Sequence, residues 1–137
     1  MKGAALQRAI YSALDADISL QELVTGVYAD VQQPNLPEND AEFPYVVIGA
    51  DRLNRWDTKT NLGASADCQI DIWSRENNLI EAKEIGSAIY GALHYQPLTI
   101  VGADHVQTLC NSMSFTTDPD GQTKRGLILV NVIYDGI

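Results

Sequence analysis

Apolar residues at Leu6, Ile10, Ala13 and Leu14, with Ala9 in the same stripe, recur at the i, i+4, i+7, i+8 spacing of one helical face. The spacing predicts a first helix over residues 3–15. Ser19-Leu20-Gln21-Glu22 has the form of a capping box. In that motif Ser19 accepts from the Glu22 backbone N–H, the Glu22 carboxylate reaches back, and Ile18 and Leu23 sit where a hydrophobic staple closes. A short second helix is expected to start there and to end near Gly26. Val27 to Val31 alternates and reads as a short strand. Residues 32–44 hold three of the five prolines and three carboxylates, so neither helix nor sheet runs through them and a surface loop is expected.

Tyr45 to Ala50 is apolar at almost every position, the pattern of a central strand covered on both faces. Its partner is Ala64 to Trp73, with Cys68, Ile70 and Ile72 toward one side and Asp67, Gln69 and Asp71 toward the other. Asp51 to Gly63, between them, is too polar for a core and reads as an extended hairpin arm. A long helix follows, capped by Asn77 or Asn78, with Glu81 early in it and Pro97 beyond its end. Ala82, Ile85, Ile89, Ala92 and Leu93 form its buried stripe, and the small residues Gly86, Ser87, Ala88 and Gly91 allow close packing. A short strand is expected at Leu98 to Val101. The chain ends in a hairpin, Val106 to Thr117 and Lys124 to Tyr134, joined at Asp118-Pro119-Asp120-Gly121, a turn with one left-handed residue. Leu127 to Val132 is apolar on both faces and belongs mid-sheet. The order α-α-β-β-β-α-β-β describes an α+β fold, a mainly antiparallel sheet packed on one side by helices, with a long hairpin arm, as one domain over residues 1–137.

Composition narrows the function more by exclusion than by assignment. The 137 residues are 45% hydrophobic and 20% charged, which fits one soluble domain. No apolar run approaches the roughly 18 to 20 residues of a membrane span, and Met1 to Leu6 lacks the apolar stretch of a signal peptide, so neither membrane attachment nor secretion is expected. Eighteen acidic against nine basic side chains give a net charge of −9, which disfavours binding to duplex DNA. Two cysteines, Cys68 and Cys110, are too few and too far apart for a disulfide scaffold and fit a reducing, cytoplasmic origin.

No phosphate loop, dinucleotide fingerprint or close pair of metal ligands appears, so no cofactor and no metal are expected. His94 falls at the end of the long helix, where a cation suits the dipole, and His105 opens a strand. Both cysteines fall on strands as small apolar groups. Cys110 or Ser112 with His105 and Asp104 are neighbours in sequence, and adjacent strand residues point to opposite faces, so no catalytic residue is assigned. Asp118 and Asp120 lack calcium-loop spacing and fit a turn.

One cluster stands out. In an acidic chain, Arg52, Arg55 and Lys59 gather around Trp56, and Arg and Trp are residue types that dominate interfaces. The plain reading is a solvated hairpin whose Trp folds back over the domain. The alternative is an arm that grips an acidic surface on a neighbouring copy. Stacking of Trp56 on a single-stranded base is opposed by the net charge.

Leu6-Gln7-Arg8-Ala9-Ile10-Tyr11-Ser12-Ala13-Leu14, Leu23 to Tyr28, Phe43-Pro44-Tyr45-Val46-Val47-Ile48-Gly49 and the Trp56-Asp57-Thr58-Lys59-Thr60 arm resemble, in order, the tail-completion family of long-tailed phages, prophages and gene transfer agents. Ile70-Asp71-Ile72-Trp73-Ser74-Arg75 before a helix carrying Ala88-Ile89-Tyr90-Gly91-Ala92-Leu93 extends the resemblance over nearly the whole chain. The resemblance implies a non-enzymatic tail terminator, a homo-hexameric ring on the head-proximal end of the tail tube in the virion, assembled in the host cytoplasm. Its implied partners are its own copies, the tail tube protein and the head–tail connector protein, with DNA passing through unread, no sequence-specific nucleic acid and no membrane. Arg52, Arg55, Trp56 and Lys59 are then contacts between subunits or with the tube. The rival readings are a related tail-tube or connector ring protein, and a small-molecule-binding or enzymatic domain.

Overall fold

A computed structural model describes residues 2–28 and 43–136. The order of elements is α1 (Gly3–Asp15), α2 (Ile18–Gln21), β1 (Val27–Tyr28), β2 (Tyr45–Arg55), β3 (Gly63–Ser74), α3 (Ile80–Leu93), β4 (Asp104–Thr117) and β5 (Lys124–Asp135). It is the order expected from the sequence. The continuation of the first strand to Val31 and the loop over residues 32–42 lie outside the described residues.

The strands form one sheet in the order β1-β2-β3-β5-β4, with β1 parallel to β2 and all other pairs antiparallel. The central position therefore belongs to β3, and β2 has a neighbour on each side only at Val46 and Val47, where β1 pairs with it. The alternation read from sequence sets the layers. Val46 and Ile48, Ala64 to Ile72 at every second residue, and Ile128, Val130, Val132 and Tyr134 join Leu6, Ile10 and Leu14 of α1 and Ile85, Ile89 and Leu93 of α3 in one core. The opposite sheet face carries Asp67, Gln69, Asp71, Leu127, Leu129 and Asn131 in facing rows. Leu129 is exposed there, so only one face of β5 lies in the core and the apolar run 127–132 is not covered on both sides.

Gly86 explains how α3 comes close to the sheet. A Cβ at this position would stand 2.9 Å from the Phe115 ring and 3.4 Å from the Met113 sulfur. Gly91 has open space around its Cα and plays no such part.

Several local expectations change. The cap of α2 is Asp17, whose Oδ2 accepts from the Leu20 N–H at 3.0 Å, in place of Ser19. Ile18 is 76% exposed and closes no staple. At the start of α3 Leu79 stands at the cap position without a side-chain cap bond, and the capping bond comes from Asn78, whose Oδ1 accepts from the Ile80 N–H at 2.9 Å, the two-residue reach of a capping side chain. The segment Leu98 to Val101 keeps its alternation, with Leu98 and Ile100 buried and Val101 exposed, yet forms no strand. The preceding residues, not this segment, bond to β4: Tyr95 N–H donates to the Thr108 carbonyl and Cys110 N–H donates to His94 Nδ1. Lastly, β2 and β3 pair as far as Arg55 and Ala64, which absorbs half of the expected arm into the ladder and leaves residues 56–62 as the connection.

Candidate interaction surface

The arm is short and internally bonded. Arg52 faces Asp67 across the ladder and Arg55 faces Ala64. The Trp56 N–H donates to the Gly63 carbonyl at 3.0 Å, and the Gly63 N–H donates to Asp57 Oδ1 at 3.1 Å. Thr58 N–H donates to the Asn61 carbonyl, and Asn61 N–H returns to Thr58 Oγ1, which closes the tip. Glycine is needed at the base, since a Cβ on Gly63 would lie 2.6 Å from the Trp56 carbonyl oxygen. Arg55 Nε meets Asp57 Oδ2 at 2.8 Å while the rest of its side chain faces solvent.

These bonds fix a turn whose apolar groups point outward. Trp56 is 55% exposed and Leu62 56%, and Arg52 and Lys59 are exposed too. Trp56 does not fold back over the core. The four residues singled out from sequence share one edge of the sheet, but they form no single pocket: Arg52 and Arg55 stand on opposite faces of β2, with odd spacing along the strand.

The other chemical candidates are occupied by structural bonds. His105 Nε2 lies 2.6 Å from Thr108 Oγ1, and burial lowers the pKa of its ring. Burial, with Asp51 and Asp67 nearby, pushes the Cys68 thiol up to about 12, and burial pushes Cys110 up to about 11. Both therefore stay as thiols at neutral pH and neither offers a nucleophilic thiolate. Asp120 turns inward on its own loop: Oδ1 accepts from the Gln122 and Thr123 N–H groups and Oδ2 from the Thr123 hydroxyl. His94 corrects the dipole reading. Its Nδ1 accepts the Cys110 N–H at 3.0 Å, which takes a neutral ring with a lone pair there, and the ring stacks on Tyr90 at 4.3 Å.

Two features were not read from the sequence. Asp71, expected among the outward polar residues, is 6% exposed, because Arg125 lies across it with Nη2 2.8 Å from Oδ1 and also over the Trp73 ring. Alternation gives the face of a residue but not what covers that face. Tyr95 has a φ of 57° and is 68% exposed, an unfavourable backbone for a bulky residue. No sequence signal marks it.

The chain matches the family model of tail completion protein gp17 over residues 8–135. It is 32% identical over 126 residues to tail completion protein gp17 of Bacillus phage SPP1, covering 92% of this chain and 89% of that protein. Among solved structures, a chain in the virion of a native gene transfer agent particle superposes with a TM-score of 0.86 at 25% identity, over 98% of each chain. The structure of bacteriophage SPP1 gp17 superposes with a TM-score of 0.57 at 30% identity, over 94% of this chain and 88% of the other. With sequence, fold and length in agreement, the chain belongs to the tail completion protein gp17 family.

Proposed function

We propose that this member of a structural tail-completion family acts as a tail terminator. In this reading it forms a ring, a hexamer, that caps the tail tube at its head-proximal end and joins it to the head connector. The observation that supports the reading most is the end-to-end match to a chain of a gene transfer agent virion. Trp56 stands outward beside three cations, Trp and Arg being residue types enriched at interfaces, and a ring subunit needs at least one surface to offer its neighbour. Arg52, Arg55, Trp56 and Lys59 are accordingly assigned to contacts between subunits or with the tube. The chemistry is assembly and not catalysis: the buried thiols and the bonded His105 and Asp120 serve the fold. DNA passes through such a ring without being read, and a chain of net charge −9 has little to hold a phosphate backbone with.

Native mass spectrometry with negative-stain microscopy of the purified protein and of isolated tails tests this. Closed rings in solution or on tube ends are expected. Monomer at every concentration, with no ring on tails, overturns it.

A further inference from the structure

The two edges of the sheet differ in chemistry. On the β2 side, β1 covers only Val46 and Val47, and beyond them no strand lies outside β2 among the described residues. That outer stretch and the turn after it carry Arg52, Arg55, Lys59 and the exposed Trp56 beside two carboxylates, Asp51 and Asp57, the second of which is paired to Arg55 at 2.8 Å. On the β4 side, Asp104 stands directly across the strand pair from Asp135. Like charges in this position weaken a ladder, and neither carboxylate has an ion-pair partner among the described residues. Tyr95 projects beside this edge, held in its left-handed conformation by the bond from its N–H to the Thr108 carbonyl. With His94 and Tyr95 bonded to β4 at Thr108 and Cys110, no strand can be added there, so a contact at this edge falls to side chains.

The two chemistries also lie at one height. Trp56 bonds to Gly63, Gly63 is paired with Asp135, and Asp135 with Asp104, a single row from one edge to the other. Repeating the chain around an axis along the strands keeps each row level. It brings the cationic edge of one copy against the acidic edge of the next. A contact of this kind, between different patches of identical copies, is the heterologous type that closes rings.

We infer that the partner of the arm is a second copy of this chain: Arg55 and Trp56 of one subunit meet Asp104 and Asp135 of the next, and Arg52, whose row runs through Asp67 and Asn131 to Leu109, comes to the height of Tyr95. This inference rests on the ring reading above and names the surface that receives the arm.

A charge swap tests it. The double variant Arg52→Glu/Arg55→Glu and the double variant Asp104→Arg/Asp135→Arg should each keep the wild-type melting behaviour and stay monomeric by native mass spectrometry. Mixed in equal amounts they should form rings of alternating copies, because every joint then pairs opposite charges. Tyr95→Gly is a second measurement that removes the strained backbone and not a core group. It should leave the Tm at or near the wild-type value and raise the concentration for half-assembly at least about tenfold. Rings from either charge variant alone, or a mixture that stays monomeric while wild type assembles, overturn this inference and leave the ring reading standing. Wild type that never assembles takes down both.

Discussion

Asp120 illustrates how much a single side chain can settle in this molecule. Three hydrogen bonds, from Thr123 N–H, the Thr123 hydroxyl and Gln122 N–H, hold its carboxyl down to about 2, against an ordinary 3.8. Because the folded value is the lower one, the stability from these bonds is present above the unfolded value and is lost as pH falls through the folded one. Asp120→Ala should therefore lower the Tm at pH 5 to 7, and the gap to wild type should close as the pH is brought from about 4 toward 2. Thermal melts across that range check it. The cysteines give a second expectation at this scale. With Cys68 at about 12 and Cys110 at about 11, native protein at pH 8 should not react with a chromogenic disulfide reagent on the time scale of minutes, and both thiols should react at once in denaturant. Immediate labelling of the native protein would show that one of them is open to solvent.

At the scale of elements, the contrast is between α3, which the core holds, and the arm, which it does not. Ile89 is fully buried in a cluster shared with the sheet, so Ile89→Ala should cost about 2 to 5 kcal/mol in urea unfolding. Ile48, buried at the end of β2 next to α1, should cost a similar amount. Trp56→Ala and Arg55→Ala remove side chains that face solvent, and they should change unfolding by no more than about 0.5 kcal/mol while weakening assembly. An arm variant that unfolds like Ile89→Ala would mean that Trp56 supports the core. Gly63 ties the two cases together, since the arm keeps its shape only where the chain can approach the Trp56 carbonyl without a Cβ.

For the whole molecule, the expectation is an assembly that ignores nucleic acid chemistry. The nine-charge acidic excess should prevent measurable binding to duplex DNA at physiological salt, and any weak binding at low salt should vanish as salt rises. A gel shift that is tight, sequence-selective and salt-resistant would contradict a passive conduit. In the proposed ring the acidic excess also adds self-repulsion that closure has to overcome. In the proposed contact three of the nine cations, Arg52, Arg55 and Lys59, face the neighbouring copy, so ring formation should respond to ionic strength.

The sequence by itself determined which segments are helix and strand, because the 3.6-residue and 2-residue periods of Leu6, Ile10, Leu14 and of Cys68, Ile70, Ile72 are imposed by where each side chain must point. It also carried the turn at Gly121, whose φ of 75° favours a residue without a Cβ, and the pattern of residues by which the family is recognised. It marked the arm as unusual, since cations and a Trp in an acidic chain are visible without coordinates. Only the tertiary structure decided the rest. Periodicity says that a strand has two faces but not which strands lie beside it, so the central place of β3 and the partial cover of β2 came from pairing. The burial of Asp71 depends on Arg125, which is 54 residues away in sequence. Asp17 took the cap of α2 because the helix begins at Ile18, two residues earlier than a cap at Ser19 allows. That Trp56 and the Asp104–Asp135 pair share one row at opposite edges is likewise a property of strand register. Register is set by the packing of the whole sheet against its helices and is not written at any single position.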